Sequence, residues 1–174
     1  HLRTLRIESA RQRRGARLRM IAWLALAAAV VVLDQLSKWS ITHALAYGSG
    51  IEITSFFNLV HVHNKGAAFS FLSDASGWQR GFFIAVALVA IVWVVHLLRR
   101  HSGQTLFCFA LSLILGGAIG NLIDRVWIGA VVDFLDFHAA GHHFPAFNVA
   151  DSAITCGAAL MIWEALFPAK PART

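Results

Sequence analysis

The chain has 174 residues, of which 57% are hydrophobic and only 14% charged, a balance that argues against a water-soluble globular protein and for a chain whose solvent is the bilayer. Its length suits one domain. The formal charge of +6 would suit a nucleic-acid partner if it were spread over a surface, but seven of the twelve arginines (Arg3, Arg6, Arg11, Arg13, Arg14, Arg17 and Arg19) precede the first apolar run. No nucleic acid is expected. The cluster reads as a cytoplasmic flank, with contact to anionic lipid headgroups as a secondary role.

In chain order, four windows are long and apolar enough to cross a membrane. They are Met20 to Trp39, Gly81 to Leu98, Thr105 to Ile123 and Asn148 to Phe167. The first is preceded by basic residues like a signal peptide, yet Asp34 and Lys38 interrupt its end and no small-residue cleavage site follows, so it reads as a retained helix. The chain starts at His1, and its first few residues carry no functional argument. Residues 1–19 read as a basic leader, 20–167 as one four-helix membrane domain and 168–174 as a tail. The arginine cluster, Arg99 with Arg100, and Lys170 with Arg173 alternate as the positive-inside rule requires. Both termini are therefore expected in the cytoplasm, with 40–80 and 124–147 outside. The expected class is an all-α membrane protein of four transmembrane helices with a small extracytoplasmic β element, because IEITSFFNLVHVHN (51–64) and VVDFLDF (131–137) are rich in strand formers. The 40–80 segment is long and aromatic, with Trp39, Tyr47, Phe56 and Phe57 suited to the interface, and could form a loop over a site. Cys108 and Cys156 lie in apolar segments and suggest neither a disulfide nor a metal site.

Ionisable groups in or beside membrane helices are expensive, so the nine acidic residues need individual reading. Glu8, Asp74 and Glu164 sit where solvated charge is ordinary, and Glu52 and Asp136 are outer residues without a clear part. Asp34 and Lys38 are four apart on one helix face, and a structural ion pair explains them better than catalysis, because a partnered carboxylate makes a poor proton donor. GGAIGNLIDR (116–125) places Gly117, Asn121, Asp124 and Arg125 along one face, which tight helix packing and interhelical hydrogen bonds would explain. Arg125 could equally present its forked donors to a substrate carbonyl or a headgroup. Asp133 lies among valines and phenylalanine, whose desolvation would raise its pKa. Asp151 follows Asn148 by three residues, as in a capped helix start. These last two carboxylates stand at the outer ends of sequential helices and could meet. A close pair would share one proton, and such a pair suits peptide hydrolysis by activated water.

Five motifs, DQLSK (34–38), NKGAAFS (64–70), GGAIGNLIDR (116–125), VVDF (131–134) and FNVAD (147–151), resemble in order and placement those of the lipoprotein signal peptidase (signal peptidase II) family, bacterial membrane aspartyl peptidases. They span most of the chain from Asp34 to Asp151. The resemblance implies that Asp133 and Asp151 are the catalytic dyad, that Asn64, Gly66, Asn121, Arg125 and Asn148 line or order the substrate site, and that Asp34, Lys38, Gly117 and Asp124 support it. It also implies a diacylglyceryl-modified prolipoprotein as substrate, cut just before the lipidated cysteine near the outer leaflet of the inner membrane. No cofactor or metal is implied, and a monomer in contact with membrane lipids is expected.

Two other classes compete. His61 with His63, and His138 with His142 and His143, could suggest a zinc peptidase, but no HExxH helix is present. Asp34, Lys38, Asn121 and Asp124 could mark an ion path, but the carboxylates gather toward one surface and the second span offers almost no polar group. A GxGD segment of the presenilin type is absent from the sequence.

Overall fold

The computed structural model describes residues 2–66 and 78–168, with side chains from Arg11 onward. Ala67 to Ser70 of the NKGAAFS motif, Asp74, Lys170, Arg173 and part of the 40–80 segment lie outside the described residues. Helix α1 (Leu2–Ala44) is followed by strands β1 (Gly50–Thr54) and β2 (Phe57–Asn64), helices α2 (Trp78–Arg100) and α3 (Thr105–Trp127), strands β3 (Val131–Ala139) and β4 (His142–His143), and helix α4 (Val149–Leu166). All four helices are long and apolar enough to span a bilayer. The four expected spans are therefore present, with ends displaced by one to a few residues.

The exception is α1, whose 43 residues run about 65 Å, roughly twice the hydrocarbon core. The basic leader is not a separate segment, because its Arg, Ala, Leu and Gln residues are strong helix formers and nothing in RQRRGARLRM stops the helix. At the other end of α2, Arg99 and Arg100 occupy the last turn, where cations complement the exposed carbonyls.

Helix α3 is the central post and packs against all three other helices. Lipid offers no hydrophobic gain for joining two apolar helices, so association in a membrane depends on close approach of small residues. Gly117 meets the Ala150 carbonyl and Ile154 of α4, where a Cβ would collide with backbone. Away from the sheet, Ala27, Val94, Leu98, Cys108, Leu111 and Leu115 form a dry core. Val32, Leu33, Val89, Val92, Trp93, Ile162 and Trp163 face outward, as lipid-contacting positions should. At the opposite end of the bundle the buried residues are polar, and there the sheet sits.

The sheet has strand order β1-β2-β3-β4 and is antiparallel throughout. The small β element expected over 51–64 and 131–137 is formed, the first segment as a hairpin and the second as the strand beside it. Register between β2 and β3 aligns Val62 with Asp133, His63 with Val132 and Asn64 with Val131, after an irregularity between Leu59 and Val62. That register brings Asn64 beside the start of β3. Phe147 then bridges back to β3 by exchanging backbone hydrogen bonds with Leu135, which returns the chain to the bundle at the first turn of α4.

Candidate active site

The N-terminus of α4 is held from two sides. Asn148 caps it, its Oδ1 accepting from the Asp151 backbone N–H at 2.9 Å. Asp34 of α1 reaches across and accepts from the Ala150 N–H with Oδ1, also at 2.9 Å. Two of the four backbone donors that every helix start leaves unpaired are thereby satisfied, and Asp151 is placed by both bonds.

Below this cap lies a buried charge cluster. Lys38 Nζ stands 2.8 Å from Asp34 Oδ2 and 2.7 Å from Asp124 Oδ2, and donates to Asn121 Oδ1 at 3.0 Å. Gln35 spans the same carboxylates, its Nε2 within 3.2 Å of Asp34 Oδ2, 3.0 Å of Asp124 Oδ1 and 3.2 Å of the Gly120 carbonyl. Asp124 Oδ2 in turn accepts from the Val132 N–H at 3.1 Å, which ties the first residues of β3 to α3. One cation between two carboxylates, with every acceptor hydrogen-bonded, is the arrangement that makes buried charge tolerable. The ion pair expected between Asp34 and Lys38 is formed, and Asp124 shares the same cation. Gln35 joins them, and although it stands inside the DQLSK motif, neutral amides attract no attention in a reading built on charge.

Asp133 and Asp151 are linked through two asparagines. Asn148 Nδ2 donates to Asp133 Oδ1 at 2.8 Å and also lies within reach of the Val132 carbonyl and Asn121 Oδ1. Asn121 Nδ2 donates to Asp151 Oδ1 at 2.7 Å. Asp133 is 2% exposed and Asn148 fully buried, whereas Asp151 keeps partial exposure. Burial pushes the Asp133 carboxyl up, the neighbouring Asp151 charge adds to the push, and hydrogen bonds from Asn64 and Asn148 pull the other way; the outcome is a pKa of about 6. The desolvation read from VVDF is therefore present, and its largest source is burial.

Arg125 stands in the last turn of α3, near both carboxylates. Its Nη1 donates to the Asn121 carbonyl at 3.2 Å and its guanidinium lies 5.3 Å from the Phe83 ring centroid on α2. Arg80, which the sequence did not single out, donates to the Arg125 and Val126 carbonyls and ties α2 to the last turn of α3. Asn64 Oδ1 accepts from the Gly66 N–H at 2.8 Å in a tight turn where Gly66 has φ of +104°. That conformation suits glycine, and a Cβ there would also strike the Phe83 ring.

Asp136 is built into a separate cluster. It accepts from Asn58 Nδ2 and from His143 Nδ1, each at 2.9 Å, while His138 stacks on His143. Burial alone would push Asp136 up, but the hydrogen bonds from His143 and Asn58 outweigh it and hold the carboxyl below the ordinary range. Asp133 and Asp136 are three apart on β3, so alternation sends their side chains to opposite faces of the strand.

Beside Asp151 an apolar groove of about 480 Å³ runs between Phe144, Pro145 and Phe147 and the Ser152, Thr155 and Cys156 side of α4. Its α4 wall belongs to a candidate membrane span, so the groove runs from Asp151 along the side of α4 that a bilayer would meet.

Four apolar helices carrying a polar site at one end of the bundle, with a coupled aspartate pair, define a multi-pass membrane enzyme. The sequence profile of the Peptidase_A8 family, signal peptidase (SPase) II, matches residues 26–167, and the chain belongs to that family. It is 57% identical to the lipoprotein signal peptidase of Janthinobacterium sp. (strain Marseille) over 147 residues, 84% of this chain and 89% of that protein. It is 57% identical to the lipoprotein signal peptidase of Cupriavidus necator over 156 residues, 90% of this chain and 89% of that one. Among solved structures, a bacterial membrane enzyme determined by the in meso method at 1.9 Å resolution superposes with a TM-score of 0.76 at 32% identity, covering 85% of this chain and 94% of the other. The resemblance carried by the five motifs is borne out.

Proposed function

We propose that Asp133 and Asp151 are the catalytic pair of this aspartyl peptidase and share one proton in the form that attacks the peptide bond. The protein removes signal peptides from prolipoproteins in a bacterial membrane, the activity of the family to which it belongs. The observation that carries the assignment of the pair is the hydrogen-bonded run from Asp133 through Asn148 and Asn121 to Asp151, with Asp133 raised to about 6.

Asp133 is the member that keeps the proton, because burial disfavours its charge more than any hydrogen bond restores it. Asp151 is the base. Asn121 occupies its Oδ1 and leaves the second oxygen for water. Water attacks the scissile carbonyl as Asp151 takes its proton, and Asp133 protonates the carbonyl oxygen. Collapse of the resulting diol returns a hydroxyl proton to Asp133 while Asp151 protonates the leaving nitrogen, restoring the one-proton pair.

Asn64 and Gly66 form the turn that meets Asp133, and Asn121 and Asn148 set the carboxylate orientations. Arg125 serves a substrate carbonyl or headgroup from its place over Phe83. Gly117 lets α4 approach α3, and Asp34, Lys38 and Asp124 fix the α4 start against β3. The groove beside Asp151 suits the diacylglyceryl chains of a modified cysteine, whose peptide bond would then lie at the pair. Residues 20–167 form the catalytic domain, a monomer with both termini cytoplasmic, the Arg-rich start of α1 against anionic lipid and the site near the outer leaflet.

Cleavage of a diacylglyceryl-modified prolipoprotein peptide by purified wild type, Asp133→Asn and Asp151→Asn tests the assignment. Loss of cleavage in both folded variants is the expected result. Cleavage surviving in either one removes that residue from the pair.

A further inference from the structure

His61 and His63 alternate on β2, so their side chains share one face of the strand. Tyr47, from the turn after α1, covers them, with its ring 5.7 Å from the His61 ring and 4.7 Å from that of His63. His61 is 6% exposed, and its Nδ1 lies 2.9 Å from the Leu45 carbonyl oxygen. A carbonyl only accepts, so Nδ1 carries a proton, and in the neutral ring Nε2 presents a lone pair. Among the described residues Nε2 has no hydrogen-bond partner, and it is closed to solvent. A buried acceptor left without a donor costs about 1–3 kcal/mol, and such a group in a natural structure calls for an explanation, a water or an ion among them.

The geometry favours a metal ion as that ligand. An imidazole that binds a metal through one nitrogen typically donates its other N–H to a carbonyl or carboxylate, which fixes tautomer and ring orientation. Leu45 supplies that carbonyl. With metal–nitrogen distances of about 2.0–2.1 Å, each ring centre stands about 3.2 Å from the ion, and a tetrahedral angle sets the two centres about 5 Å apart. The His61 and His63 rings are 5.3 Å apart. His63 is only half-buried and gives the ion a way in. The described residues offer no third His, Cys, Asp or Glu in ligating position, so water entering past the half-buried His63 completes the shell on that side.

We propose that His61 and His63 form a two-imidazole binding site for one late first-row divalent cation such as Zn²⁺, separate from the aspartate pair. Neither histidine takes part in the hydrolytic site, and the inference stands whichever residues carry the cleavage. An ion there would link two positions of β2 and fix the His61 ring whose Nδ1 holds the Leu45 carbonyl.

The test uses the untagged full chain in detergent micelles, titrated with Zn²⁺ against a chromophoric chelator. Wild type binds one equivalent that His63→Gln holds at least about tenfold more weakly, because one of two nitrogen ligands is gone, and that His142→Gln retains unchanged. The thermal transition of metal-free His63→Gln verifies its fold. X-ray absorption of the Zn²⁺-loaded wild type supplies a measurement that needs no variant, with two imidazole nitrogens at about 2.0–2.1 Å expected. Absence of a bound equivalent, a site lost in His142→Gln instead, or a shell without two imidazoles overturns the proposal.

Discussion

Replacing Asp133 by Asn should end cleavage and at the same time stabilise the protein above pH 6. Asp133 is 2% exposed and its carboxyl titrates at about 6 rather than at the ordinary 3.8. A carboxyl raised in this way favours the fold while protonated. That contribution is full below the ordinary value and is lost as the pH rises through about 6. The displacement corresponds to about 3 kcal/mol as an upper bound. Asparagine keeps the shape and the Oδ1 acceptor that Asn148 Nδ2 uses at 2.8 Å, and its new amide hydrogens can face Asp151 instead of a second negative charge. The variant and the wild type should therefore unfold alike near pH 4, and the variant should gain up to about 3 kcal/mol by pH 8. Thermal or denaturant unfolding in detergent across that range, with both proteins in the same micelles, measures the difference. A variant less stable than wild type at pH 8, or a difference that does not change with pH, would refute the electrostatic reading of the site.

Asn148→Asp keeps the helix cap, since aspartate caps as well as asparagine, but removes the donor to Asp133 Oδ1 and adds a carboxylate beside it. The alkaline limb of kcat/KM should move up by about one pH unit or more, the value of one charge-assisted hydrogen bond, and an unmoved limb would remove the pair from that limb. Lys38→Met should destabilise by about 3–5 kcal/mol, because it leaves Asp34 and Asp124 buried without their cation, and adding Asp124→Asn should recover part of the loss. Additive behaviour of the two substitutions in unfolding would contradict the coupling. Asp136→Asn should leave cleavage within a few-fold of wild type, as its partners are Asn58 and His143 and not the pair. Its contribution to stability is present above the ordinary carboxylate range and lost as the pH falls through its lowered pKa, so the variant should lose stability at neutral pH and match wild type in acid.

The spans were legible because hydropathy over about 20 residues reports the solvent directly, and the strands because β-prone residues stood between them. The length of α1 was not. A window that asks only what is apolar stops at Met20, whereas the helix continues wherever propensity allows it. The choice of α3 as the central post was legible only as a possibility, since GGAIGNLIDR shows a small-residue face but not which helices use it. The close contacts of Gly117 with Ala150 answer that question and depend on α4 arriving at a particular height.

For the site, ionisable residues were the visible part, because a carboxylate near a membrane needs a reason to be there. Their division of labour was not visible. Asp34 and Asp151 both contribute to the start of α4, but one serves it from 116 residues away by accepting the Ala150 N–H, a relation that no spacing rule contains. Of the neutral amides, the motifs pointed to Asn121 and Asn148 but not to Gln35. Asn121, Asn148 and Gln35 carry most of the bonds that decide where each carboxylate points, and an amide can do this because it donates and accepts at once, whereas a carboxylate between carboxylates can only repel. A site that must keep two acids close at one shared proton therefore needs neutral bifunctional groups between them. On the proposed assignment, Asn121 and Asn148 are as much a requirement of the pair as Asp133 and Asp151 themselves.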